Sequence, residues 1–354
     1  MKSETPLQKY FRLIEQSITD YRWFLYYLQR QKLEPRDRSK VSSVISRLMP
    51  SGNFEQIAKQ YERDIHRFKT DGLCFLEDWV SENQALQIKQ HLMSRPCFDP
   101  DRLEKVGFFN PEAAHKSCLH AHYRIGDILD CPQILKLANH PRALGIVSYL
   151  FGCKPTISLI QAWWLRYGFD EYENQNNLYL KYPESYHRDI DDWTEIRLFI
   201  YLSDVDETSG PHSYIKNTYN RSTPDRYNKF STTPQQLEIS GFPVSENMIN
   251  IVGKPGTAWL MNPFGFHRAK IPTQRHRLIL CITYTFFPQP FAPAKPVINC
   301  STESEFDPYI NRVYVKREKS IRKGKWYVDW SKPESFEISY AQPKKSLRRR
   351  YYQP

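Results

Sequence analysis

The segment YHRDIDDW puts His187 and Asp189 two positions apart. On an extended strand, residues i and i+2 project from one face, so an imidazole and a carboxylate there can converge on one ion. A third ligand has to come from elsewhere in the chain. FGFHRAKIP supplies His267, eighty positions after His187 and just beyond the strand expected over GTAWLM. Two histidines and one carboxylate on one side of a metal leave three positions open, which suits Fe(II) taking a bidentate co-substrate and then dioxygen. In a chain with ten histidines the H-x-D pair alone says little, and its ordinary alternative is a surface His and Asp that hydrogen-bond. Arg277, ten residues past His267 at the start of RLILCITYTF, strengthens the metal reading. A guanidinium on that strand can grip a carboxylate through two parallel hydrogen bonds beside the metal. Arg275 can fill the same role, and a surface arginine at a strand start is the plainer alternative for either.

Other polar residues compete for attention. His120 and His122 in CLHAHYR share a strand face or a loop, but no carboxylate stands at a suitable spacing, so they read as structural or substrate-proximal. His212 in GPHSY reads as a packing or hydrogen-bonding residue in a turn. Tyr186 and Trp193 flank the H-x-D pair. Arg197, in EIRLFIYL, reads as a structural ion pair near the site. Gln161, on the strand TISLIQAWWLRY, is either a site contact or a satisfied strand glutamine.

These residues need elements to position them. Apolar residues at spacings of three and four from Leu7 to Leu28 predict one helix over the first thirty residues, with Pro6 at its start and Pro35 and the RDRSK run ending it. Helical stretches are expected over Val41–Leu48 and Phe54–Phe68. TDGLCFLEDWV predicts a Gly-marked turn and a short strand, followed by a helix capped by Ser81. PQILKLANHPRALGIVSYLFG predicts two helical pieces broken at Pro141 and stopped at Gly152. Beyond Pro155, TISLIQAWWLRY, RLFIYLSDV, GTAWLM and RLILCITYTFF are strand-like, rich in β-branched and aromatic residues between turn formers. Antiparallel strands after a block of helices imply an α+β architecture with a sandwich or jelly-roll core. Residues 218–246 lack periodicity and are expected to form an insertion or lid loop, and the chain after Phe291 yields no assignment.

The 354 residues, 40% hydrophobic and 14% aromatic, suffice for a buried core. No apolar run is long enough to span a membrane, and MKSETPLQKYF lacks the apolar stretch of a secretory leader, so a cytoplasmic protein is expected. Seven cysteines, an odd number without a C-x-x-C pair, read as reduced and mostly buried thiols. The net charge of +11 admits a polyanionic partner, but KKSLRRR near the C-terminus supplies five of the basic residues without an acid. A solvated basic tail is therefore the preferred reading, and a nucleic-acid partner is not expected.

The ordered blocks TDGLCFLEDWV, LANHPRALGIVSYLFG, the Gln161 strand, YHRDIDDW, LFIYLSDVDETSGPHSYIKNTY and GKPGTAWLMNPFGFHRAKIPTQRHRLILCITY resemble the phytanoyl-CoA dioxygenase family of 2-oxoglutarate oxygenases. The resemblance spans roughly residues 60 to 290. It implies a double-stranded β-helix, the family's jelly roll, with flanking N-terminal helices. Iron would be held by His187, Asp189 and His267, and Arg277 would bind the far carboxylate of 2-oxoglutarate, with Gln161 a further co-substrate or substrate contact. The implied division is a helical extension over 1–58, the dioxygenase-like domain over 59–292 and an extension with a basic tail over 293–354. The implied reaction couples decarboxylation of 2-oxoglutarate to succinate and CO2 with dioxygen-dependent hydroxylation of a small organic substrate. Two departures concern finer contacts: Ala269 stands where the family often has Ser or Thr two residues after the distal His, and KNTY replaces its G-S-H ending. Asp189 argues against the halogenases of the superfamily, which lack that carboxylate. The alternatives are a non-catalytic jelly roll that binds an anionic ligand and a nucleic-acid demethylase on the same scaffold.

Overall fold

A computed structural model of the chain describes residues 6–31, 34–52, 54–112, 118–169, 185–221, 231–299 and 306–316. Its strands are β1 (Leu73–Phe75), β2 (Cys97–Phe98), β3 (Phe108–Phe109), β4 (His120–Tyr123), β5 (Thr156–Leu165), β6 (Tyr186–His187), β7 (Glu195–Tyr201), β8 (His212–Ile215), β9 (Ser231–Thr232), β10 (Met248–Ile251), β11 (Ala258–Met261), β12 (His267–Ala269) and β13 (Arg277–Thr285). A short parallel pair follows, β14 (Ile298–Asn299) with β15 (Val315–Lys316).

The large sheet runs β1-β11-β7-β13-β5-β4-β2-β3, and the small one β10-β8-β12-β6-β9. From β5 to β8 the chain changes sheet at every strand. After β10 it does so again through β11, β12 and β13. This alternation is the winding of a double-stranded β-helix, with β11-β7-β13-β5 facing β10-β8-β12-β6.

Central β13 reads as an unbroken apolar run because both of its faces are covered. Ile279 and Cys281 point inward with Phe199, Tyr201 and Trp259 from neighbouring strands and Tyr214 and Ile251 from the small sheet. Leu278, Leu280, Ile282 and Tyr284 point outward into a second core shared with Ala85, Ile88 and Leu92 of the helix Glu82–Met93 and with Ile134, Ile146 and Val147 of the helices Pro132–Ala138 and Pro141–Phe151. The expected break at Pro141 and stop at Gly152, which has φ of +69°, are both present.

Three helical expectations need correction. The single N-terminal helix is two, Pro6–Thr19 and Tyr21–Gln29, because Asp20 takes extended backbone and caps the second by accepting from the Arg22 amide. Pro35 does not end a helix; it opens the helix Pro35–Leu48, where its missing N–H costs nothing. The stretch begun at Phe54 is interrupted at Tyr61 and runs on to Asp71 as Glu55–Gln60 and Glu62–Asp71.

Within 218–246, the described residues include the helices Pro234–Ile239 and Val244–Asn247. Leu237, Phe242 and Val244 pack with Tyr186, Ile215 and Phe266 of the small sheet and its loop, so this part covers the sheet's outer face. Cys300 and the basic tail lie outside the described residues; the other six cysteines are buried and free. No described helix is long and apolar enough to cross a membrane.

Candidate metal centre

The small sheet brings the two candidate histidines together. β6 is only two residues long and pairs with β12 so that His187 lies directly across from His267. Their ring centroids are 4.4 Å apart. The H-x-D pair is not held on a continuous strand as expected, because β6 ends at His187. Asp189 instead follows in the loop, where its amide donates to the Pro263 carbonyl at 2.9 Å. That bond ties the loop after one ligand to the loop before the other.

One ligand atom from each of His187, Asp189 and His267 lies within 4.8 Å of the others. His187 Nε2 stands 3.6 Å from Asp189 Oδ1, and His267 Nε2 stands 3.3 Å from Asp189 Oδ2. Cis ligands on an octahedral ion with bonds of about 2.1 Å are roughly 3 Å apart, so the donor set fits a first-row divalent ion with small adjustments. His267 Nδ1 lies 2.9 Å from the Gly265 carbonyl, which can only accept. The proton therefore sits on Nδ1, and the Nε2 lone pair is left for a metal. Burial and the neighbouring His267 push His187 down to about 3, so its imidazole is neutral and able to ligate at neutral pH.

Asp189 belongs to a buried ionic cluster. Arg197, on the inner face of β7, donates to Asp189 Oδ2 at 2.6 Å, to Asp191 Oδ2 at 3.1 Å and to Glu195 Oε1 at 2.6 Å. Burial alone would raise the Asp189 carboxyl, but the Arg197 guanidinium above all holds it well below the usual carboxylate range. Burial pushes Glu195 up to about 8 and raises Asp191, because one guanidinium cannot neutralise three acids. Arg197 thus reaches the proposed metal ligand itself, which its reading as a nearby ion pair did not specify. The available signal was the density of acids in HRDIDDWTEIR around one arginine on an apolar strand.

The N-terminal helices also reach this loop. Gln29 donates to the Ile190 carbonyl at 2.6 Å, Arg30 donates to it at 2.9 Å, and Arg38 donates to the Asp192 carbonyl. Ser42 donates to the carbonyl of Trp193 at 3.2 Å. Nothing in the local sequence foretells these contacts, which join helices to a loop some 150 residues away.

The remaining candidates occupy different places. Arg277 is 1% exposed on the inner face of β13 and donates to the Gly210 carbonyl. Arg275 points outward, with its side chain 64% exposed and paired to Asp206 at 3.2 Å. Gln161 lies across from Cys281 in register, which puts it on the same inner face as Arg277. His120 and His122 sit in register with Leu165 and Trp163 of β5, so β4 extends that face beyond the barrel. The His122 ring stacks on Trp163 at 5.7 Å. Neither histidine is grouped with the three candidate ligands. Tyr186 is buried and bonded to the Ser213 hydroxyl at 2.7 Å, while Trp193 lies beneath the Arg38 guanidinium. His212 is not in a turn: it opens β8 and stacks on His267 at 5.4 Å with planes 7° apart.

No protein-family profile and no curated protein matches the chain. Among solved structures it is similar to SnoN, a non-heme alpha-ketoglutarate-dependent epimerase from nogalamycin biosynthesis, at 16% identity and TM-score 0.44 over 64% of this chain and 83% of that one. It is similar to EctD from S. alaskensis with bound Fe at 16% identity and TM-score 0.42, covering 72% of this chain and 87% of that one. HygX from Streptomyces hygroscopicus, with nickel, 2-oxoglutarate and hygromycin B bound, is similar at 15% identity and TM-score 0.43, covering 72% and 96%.

Proposed function

We propose that this chain is an Fe(II)- and 2-oxoglutarate-dependent oxygenase that hydroxylates a C–H bond of a small organic substrate. The observation that carries the reading is the convergence of His187, Asp189 and His267 between the two sheets of a double-stranded β-helix, with a buried arginine on the same interior. Iron bound there would couple reduction of dioxygen to oxidative decarboxylation of 2-oxoglutarate and to attack on the substrate.

The chain's own groups have separable tasks. His187, Asp189 and His267 would hold a divalent ion between them. The Gly265 carbonyl fixes the His267 tautomer, and Arg197 fixes the Asp189 carboxylate. Arg277 offers a buried cation for the far carboxylate of the co-substrate, and Gln161 a polar side chain on the same face. Phe199, Tyr201 and Trp259 line the interior and exclude water from it.

The test is an anaerobic titration of the protein with Fe(II) and 2-oxoglutarate. A metal-to-ligand absorption band should appear in the wild type and be absent from His187→Ala. Admission of oxygen should then release succinate. A wild-type protein that takes up no divalent ion refutes the reading, and one that binds the ion but neither binds nor consumes 2-oxoglutarate leaves only a metal-binding jelly roll.

A further inference from the structure

His212 has no task in the reading above, yet it is only 6% exposed and stands inside the barrel. Its ring lies parallel to that of His267 and against Phe199 and Trp259, at centroid distances of 5.0 and 5.9 Å from the latter two. It therefore projects from the small sheet toward the large one. Its Nε2 is buried and meets no hydrogen-bond partner among the described residues. A buried polar atom left in that state is costly, and the cost is relieved by a ligand group that completes it.

Its surroundings indicate which group. The neighbour directly across β12 in register is Ala269, whose methyl offers no hydrogen bond. Tyr201 Oη accepts from the His212 amide at 3.1 Å and is itself hydrogen-bonded to Arg277. Arg277 in turn donates to the carbonyl of Gly210, two residues before His212. A buried guanidinium and an imidazole thus stand together on the interior beside His267, bridged by Tyr201, whose own hydroxyl hydrogen goes to the Ile251 carbonyl at 2.7 Å. That is a set of donors for an anion, and an imidazole in either charge state carries at least one N–H.

We propose that His212 is a positioning residue for the co-substrate: its imidazole N–H joins Arg277 in seating the far carboxylate of 2-oxoglutarate. This inference rests on the function proposed above.

Removing one charge-assisted hydrogen bond weakens binding about 10- to 100-fold. The test uses the full chain loaded anaerobically with Fe(II), with calorimetry and the absorption band reporting binding of 2-oxoglutarate and, separately, of pyruvate, which chelates alike but lacks the far carboxylate. His212→Phe keeps the stacked ring and removes the N–H. It should hold Fe(II) as the wild type does, bind 2-oxoglutarate about 10- to 100-fold more weakly and bind pyruvate unchanged. His212→Gln restores a donor and should recover most of the loss; should the Phe variant not fold, the Gln variant against His212→Leu supplies the same comparison. If the donor-free variants bind 2-oxoglutarate like the wild type, or lose pyruvate equally, the assignment of His212 is overturned while the oxygenase reading stands. Failure of the wild type itself to bind 2-oxoglutarate overturns both.

Discussion

Arg197→Met isolates the one cation that serves three buried acids. The guanidinium is 17% exposed and lies within 2.6 to 3.1 Å of Asp189, Asp191 and Glu195. Methionine fills much of the same volume but removes the cation those acids share, with Arg30 standing 3.5 Å from Asp191. Breaking a buried ion pair by deleting one partner costs about 3–5 kcal/mol. At about 2–4 °C per kcal/mol for a chain of this size, the metal-free variant should melt roughly 6–20 °C below the wild type. The cause can be separated from lost packing by a double-mutant cycle. With Asp189→Asn already in place, one fewer ionised acid is stranded, so Arg197→Met should cost about 1–3 kcal/mol less than in the wild type. Lowering the pH should also recover stability, since stranded carboxyls can take up protons. Scanning calorimetry of the four metal-free proteins at pH 7.5 and 5.5 measures all of this. A melting temperature within 2 °C of the wild type, or costs that add without coupling, would refute the argument that Arg197 compensates these charges.

Other predictions follow from the same cluster and the helices that cover it. The folded-state value of Glu195 is raised to about 8, so its contribution is fully present below the unfolded carboxylate range and lost as pH rises through about 8. Between pH 7 and 8 the metal-free protein should lose about 1 kcal/mol of stability per pH unit, and Glu195→Gln should flatten that slope in denaturant titrations. Arg38 donates to the Gln29 carbonyl and to Gln29 Oε1, both at 3.0 Å, and also to the Asp192 carbonyl. Arg38→Met should cost about 2–4 kcal/mol and, by loosening the loop that carries Asp189, weaken Mn(II) binding about tenfold by calorimetry. Unchanged metal affinity in a destabilised Arg38→Met protein would show that the helices support the fold but not the site.

Much of the interior was legible from local pattern. Strands β5, β7, β11 and β13 are long or apolar enough for composition to mark them, and H-x-D, the distal histidine and Arg277 stand out as residue types at fixed separations. What local pattern cannot show is which residues meet. β6 and β12 have two and three residues, too few for any periodicity, yet their register alone places His187 across from His267 and Ala269 across from His212. The breaks at Asp20 and Tyr61 are equally invisible to a pattern of apolar spacing that continues through them. The hold of Arg197 on Asp189, and of Gln29, Arg30 and Arg38 on the adjoining loop, depends on long polar side chains whose partners are decided by how sheets and helices pack. The chain's residue pattern therefore determined the donor types and the winding that could gather them, whereas only the tertiary structure decided their pairing, because ion pairs and strand register are set by distance in space and not by separation along the chain.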